Sequence, residues 1–306
     1  MHSINQSALS RPKSILVATD LNDLDFLLPV AIDQARATGA MLWLLHVIPP
    51  DVSYSAHTGT LPLLQGKAFR DAEATLARVS FELKAKDVPC AYEVRRWYPI
   101  DRIHEFIRER QIRRLIIGTT SRGKIGKLLV GSVAEELIRS LDIPVCTVGP
   151  HCKPGSQNKS PQVLYAASLR HDVGKTFQFA ADLVAVVPGE LTILHVEEQA
   201  YRDDGVDLRV MSKIDEMVKS AGRMDFVPHI RIRYGEPAEE IVAECSLLKP
   251  DFLVLGAVPA SALAANFRAG VAYRVIAQAP CPTFTLHDEA NHRHHGLKLA
   301  AVQGIS

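Results

Sequence analysis

The chain has 306 residues, of which 47% are apolar, with 35 Lys and Arg against 34 Asp and Glu for a net charge of +1. At about 100–200 residues per domain, this length predicts two domains with real cores and excludes a disordered chain. The balanced charge argues against whole-surface attraction to nucleic acid or an anionic membrane. The five cysteines include no C-x-x-C pair, which removes a zinc framework and fits a reducing, cytoplasmic setting.

The N-terminal residues 1–14 are polar and lack the apolar run of a signal peptide. Apolar, strand-like runs follow at 14–18, 41–47, 91–95, 114–117 and 145–148, and again at 163–167, 191–196, 229–233, 252–255 and 283–286. Between them lie helical stripes: Leu24, Leu28, Ala31 and Ala35; Phe69, Ala72, Leu76, Val79 and Leu83; Ile100, Ile103, Phe106 and Ile107; and Val133, Leu137, Ile138 and Leu141. The apolar stretch 252–267 is short and broken by Pro259, so it does not read as a membrane span. The polar segment 150–161 reads as a linker and 288–306, with its histidines, as a loose tail.

The two halves repeat. Leu45-His46-Val47 matches Leu194-His195-Val196, Tyr98-Pro99 matches Glu236-Pro237, Ile117-Gly118 matches Leu255-Gly256, and Ile143-Pro144-Val145 matches Cys281-Pro282-Thr283. The shift is 138 residues at Pro99, Gly118 and Pro144, and 149 near His46. The difference predicts a longer first-half loop around 49–67. Alternating strands and helices, written twice, predict two doubly wound α/β domains, each with a five-stranded parallel sheet, at 14–149 and 162–287.

In such sheets ligands bind beyond the carboxyl ends of the strands, where the strand order switches. Ala18-Thr19-Asp20 follows the first strand, Val47 ends the second, and a glycine-rich, basic loop runs from Gly118 through Arg122, Lys124 and Lys127 to Gly131-Ser132, where a helix begins. Glycines let backbone N–H groups converge on an anion, and a helix start adds its dipole. Ser132 suits an N-cap or a hydroxyl donor, and Asp20 suits either a ligand contact or a cap for the helix beginning near Asn22 or Asp23. Gly118–Lys124 also reads G-x-x-x-x-G-K, but Ile125 stands where a P-loop needs its metal-ligating hydroxyl.

Taken in order, these segments resemble the universal stress protein family, with two such domains in tandem. That family's G-x2-G-x9-G-[ST] signature stands here as Gly118, Ser121, Gly131 and Ser132, with Ser121 replacing the second glycine. The resemblance implies the HUP-type, nucleotide-binding α/β-hydrolase-like fold. It also implies ATP, with Mg2+ as an optional companion, bound by the first domain alone. Asp20 and Val47 would face ribose and adenine; Gly118, Gly131, Ser132 and Val133 would hold phosphates; Ala18, Thr19, Ile117, Thr120 and Ser121 would line the site. The second half has Ser168 in place of Asp20 and lacks the glycine–hydroxyl pair, which predicts a degenerate site.

The repeated histidines His46 and His195 read as structural, the cysteines as buried, and Trp43 and Trp97 as packing residues. No catalytic motif emerges. Three functions remain open: a nucleotide-responsive stress protein, an interaction module that binds no nucleotide, and a weak ATP-hydrolysing enzyme. The expected partners are an adenine nucleotide and the other half of the chain, as an internal pseudo-dimer, with a homodimer as a further option and neither nucleic acid nor membrane.

Overall fold

The computed structural model describes residues 11–50, 61–119, 130–150, 152, 160–169, 174–198, 204–222, 224–257 and 269–287. The expectations for Thr120, Ser121, Arg122, Lys124, Lys127, most of the linker and the tail 288–306 lie outside these residues.

The first half runs β1 (Ser14–Ala18), α1 (Leu24–Thr38), β2 (Met41–Ile48), α2 (Leu61–Lys84), β3 (Cys90–Arg96), α3 (Pro99–Glu109), β4 (Arg114–Gly118), α4 (Ser132–Ser140) and β5 (Val145–Val148). The second half repeats it as β6 (Gln162–Ala167), α5 (Gly174–Val186), β7 (Glu190–Glu197), α6 (Asp204–Ser220), β8 (His229–Tyr234), α7 (Pro237–Leu248), β9 (Phe252–Ala257), α8 (Ala269–Gln278) and β10 (Thr283–His287). Among the described residues, no helix is long and apolar enough to cross a membrane.

The ten strands among the described residues form one sheet in the order β3-β2-β1-β4-β5-β10-β9-β6-β7-β8. Pairing is parallel within each half and antiparallel where β5 meets β10. The register there pairs Thr283 with Thr147, Phe284 with Cys146 and Thr285 with Val145. Under the 138-residue shift this register maps onto itself, so a pseudo-two-fold axis passes between Cys146 and Phe284. Two side-chain bonds obey the same symmetry: Thr147 Oγ1 donates to the Thr283 carbonyl at 3.1 Å, and Thr285 Oγ1 donates to the Val145 carbonyl at 3.3 Å.

Strands buried on both faces feed two core layers. Ile15, Val17, Leu42 and Leu44 pack with α1 and α2, in one layer with Tyr165, Phe177 and Phe284 of the second half. Leu16, Ala18, Leu45, Val47, Leu115 and Ile117 pack with α3 and α4 on the opposite face, in one layer with Leu164, Ile241 and Val275. Each layer therefore crosses the seam. Arg114, fully buried at the start of β4, lies across it too. Its guanidinium donates to Gln34 of α1 and sits over the rings of Phe179 and Phe284, at 5.5 and 5.3 Å from the centroids. Burial lowers its pKa to about 10, which leaves it charged at neutral pH.

Two expectations are corrected. The buried face of α1 uses Leu24, Leu27, Val30, Ala31, Gln34 and Ala35, with Leu28 only half-buried, because spacings of three and four fit either neighbour and contact with the sheet decides. The first-half insertion is not all loop: α2 begins at Leu61 and has 24 residues, against 17 in α6, with Pro62 tolerated in the first turn.

Candidate functional site at the β1–β4 carboxyl edge

Within the first half, β1 lies between β2 and β4, so the strand order switches there, and such a switch point places a crevice beyond the carboxyl ends of β1 and β4. Ala18 and Ile117 are register partners at its floor, and Val47 lies beyond the Ala18–Leu45 pair at the end of β2. All three are buried.

The β1 loop is tightly wound. The Thr19 N–H donates to the Leu45 carbonyl at 3.0 Å, and its own carbonyl is held by His46 Nδ1 at 2.8 Å. Thr19 Oγ1 accepts from the Leu21 N–H at 2.9 Å and donates to Asp23 Oδ1. Leu21 takes a φ of 73°, in the left-handed region. The Asp20 carboxylate accepts from the Asn22 N–H at 2.8 Å, an Asx turn that leaves it half-buried at the crevice. Asp20 therefore does not cap α1, whose N-cap position is Asp23.

Asp23 is the residue that sequence reasoning undervalued. Its carboxyl is buried against Gly118, so that a Cβ added to Gly118 would lie 2.7 Å from Asp23 Oδ2. A side chain at position 118 would have to displace the Asp23 carboxyl, so close approach as well as any ligand favours glycine there. Burial raises the Asp23 pKa from 3.8 to about 6; the Thr19 hydrogen bond opposes the rise and the Asp20 charge adds to it. Only the placement of β1 beside β4 could have revealed this pair.

Beyond β4, Thr119 is buried, its N–H donates to the Val148 carbonyl at 3.1 Å, and its carbonyl accepts from the Gly131 N–H at 2.8 Å. This ties the start of α4 to the crevice. The N-cap is Gly131 rather than Ser132, with no side-chain cap bond, because the extended φ/ψ of −64° and 147° falls on the glycine. Ser132 becomes the first helical residue and is exposed, while Val133 is half-buried. Among the described residues no side chain caps the α4 N-terminus, an arrangement that suits an anion.

The second half keeps the scaffold and changes the polar groups. His195 Nδ1 holds the Ala167 carbonyl at 2.8 Å, as His46 holds that of Thr19, so both histidines are structural clasps. Leu169 repeats the positive φ of Leu21, at 51°. Ala167, Ser168 and Ala257 stand where Thr19, Asp20 and Thr119 stand. Among the described residues, no group of three or more His, Cys, Asp or Glu side chains is arranged to hold a metal ion. All five cysteines are free, four buried and Cys152 half-buried.

The model of the universal stress protein family matches residues 12–149 and 161–287. Universal stress protein MJ0531 of Methanocaldococcus jannaschii is 25% identical over 151 residues, which cover 48% of this chain and 88% of that protein. The crystal structure of a universal stress protein from Archaeoglobus fulgidus superposes with a TM-score of 0.69 at 21% identity, covering 92% of this chain and 98% of its own. Protein PA1789 of Pseudomonas aeruginosa PAO1 has the same fold, with a TM-score of 0.61 at 16% identity over 92% of this chain and 94% of its own. The two matched segments span most of the sequence, and the chain belongs to the universal stress protein family, with two of its domains in tandem.

Proposed function

We propose that this protein serves in the stress response as an adenine-nucleotide-binding module, with ATP held in the first-half crevice. The observation that carries this reading is the convergence of the Asp20 carboxylate, Gly118 and the glycine-capped start of α4 on one carboxyl-edge crevice. Asp20 accepts from ribose hydroxyls, Val47 and Ile117 supply an apolar wall for the base, and Gly131, Ser132 and Val133 offer N–H groups and a hydroxyl to phosphates. Ala18, Thr19, Thr120 and Ser121 complete the site on the same reading. The second half, with Ala167, Ser168 and Ala257 in place of the hydroxyls and carboxylate, leaves its crevice without nucleotide and acts as the built-in dimer partner of the first. Free cysteines fit work in the cytoplasm.

Equilibrium dialysis with labelled ATP tests the reading. We expect saturable binding that Asp20→Ala and Gly131→Ala each weaken by about tenfold or more, as expected for a lost charged hydrogen bond or an altered cradle. Ser168→Ala leaves binding unchanged. Absence of saturable binding, or equal loss on Ser168→Ala, overturns it.

A further inference from the structure

Directly after β3 and β8 the two halves share a backbone conformation and differ in residue. Gly235 has a φ of 143°, and its N–H donates to the Glu197 carbonyl at 3.0 Å. At the 138-shifted position, Trp97 has a φ of 113°, and its N–H donates to the Ile48 carbonyl at 3.0 Å. Glycine adopts this region freely, whereas a tryptophan there is strained. Such strain persists only where packing or function selects the side chain. Packing is a weak reason here, because Trp97 is 52% exposed and meets the half-exposed Tyr98 in a T-shaped contact at 5.3 Å.

Its position supplies the other reason. Trp97 is bonded to Ile48, the residue after Val47, so it stands on the rim of the carboxyl edge beside the wall assigned to the base. A wide aromatic face at such a rim matches the face of a purine.

We propose that Trp97 is a base-contacting residue of the first-half site, stacking its indole on the adenine ring. The proposal rests on the nucleotide reading above. Gly235 denies the second half the same contact.

Trp97→Gly copies the second half and relieves the strained φ, so this variant should unfold at the same or a higher urea concentration than the parent. Its affinity for ATP should fall about tenfold, in line with the loss of one base–aromatic stack. Trp97→Phe should stay within about threefold of the parent. Affinity for inorganic tripolyphosphate, which has no base, should be the same in all three. In a Trp43→Phe background Trp97 is the sole tryptophan, and ATP should quench its fluorescence. If the parent binds ATP and Trp97→Gly binds it equally well, or loses tripolyphosphate in parallel, stacking is overturned and the nucleotide reading stands. If the parent binds no ATP by dialysis, both fall.

Discussion

Arg95 of β3 and Arg233 of β8 occupy one position in the duplicated fold, yet they answer to different neighbours. Arg95 sits over the Phe106 ring at 4.9 Å and pairs with Glu93 at 2.6 Å and Glu109 at 2.5 Å. In the second half the place of Phe106 is taken by Glu244, only 2% exposed, and the place of Glu93 by Arg231. Arg231 and Arg233 hold the buried carboxylate at 2.8 and 2.7 Å. A carboxylate entered the interior together with a second arginine, which is the condition for burying it. The two halves thus diverge by exchanging whole sets of partners while the backbone stays fixed, down to paired left-handed residues such as Gln111 and Lys249, with φ of 50° and 49°.

Three experiments probe how far this equivalence reaches. Arg114 has Phe252 as its counterpart and braces the seam, so Arg114→Ala should cost the most: about 3 kcal/mol from urea unfolding, for a buried side chain removed with its hydrogen bond to Gln34. A loss under about 1 kcal/mol would show that the seam does not depend on it.

Asp23 gives a smaller, pH-dependent effect. Its pKa is raised from 3.8 to about 6, so the native state holds a proton that the unfolded chain releases between those values, and stability falls as pH rises through that window. Asp23→Asn should therefore be more stable than the parent at pH 7.5 by about 2 kcal/mol, an advantage smaller by about 1 kcal/mol at pH 5. An advantage that does not change with pH would rule out this origin.

The smallest effect tests the symmetry axis. Thr147→Val and Thr285→Val each remove one of two matching bonds across the seam, and each should cost about 1 kcal/mol. Unequal losses would mean that the seam is symmetric in backbone only.

Much of the fold is legible in the sequence because the strands of a covered parallel sheet are unbroken apolar runs. Segments such as 145–148 and 252–255 leave no other reading, and Pro99 and Pro237 mark helix starts that the structure retains. Single-residue phase is less legible: Leu27 is fully buried while Leu28 packs half-buried against the same core, and Gly131 rather than Ser132 takes the cap position. Periodicity fixes a face only to within a neighbour. The Asp23–Gly118 contact and the β5–β10 seam are invisible to local pattern, since each joins segments far apart in the chain and neither carries a residue type that announces the pairing.

The seam also has a consequence for synthesis. β5 closes the first half, but its outer edge finds its partner in β10, the last of the described strands. While the ribosome makes the second half, the first can fold with that edge open, presenting a row of unpaired N–H and C=O groups to any other nascent copy. The order of the strands along the chain therefore sets a period of vulnerability to pairing between chains, and completion of β10 ends it.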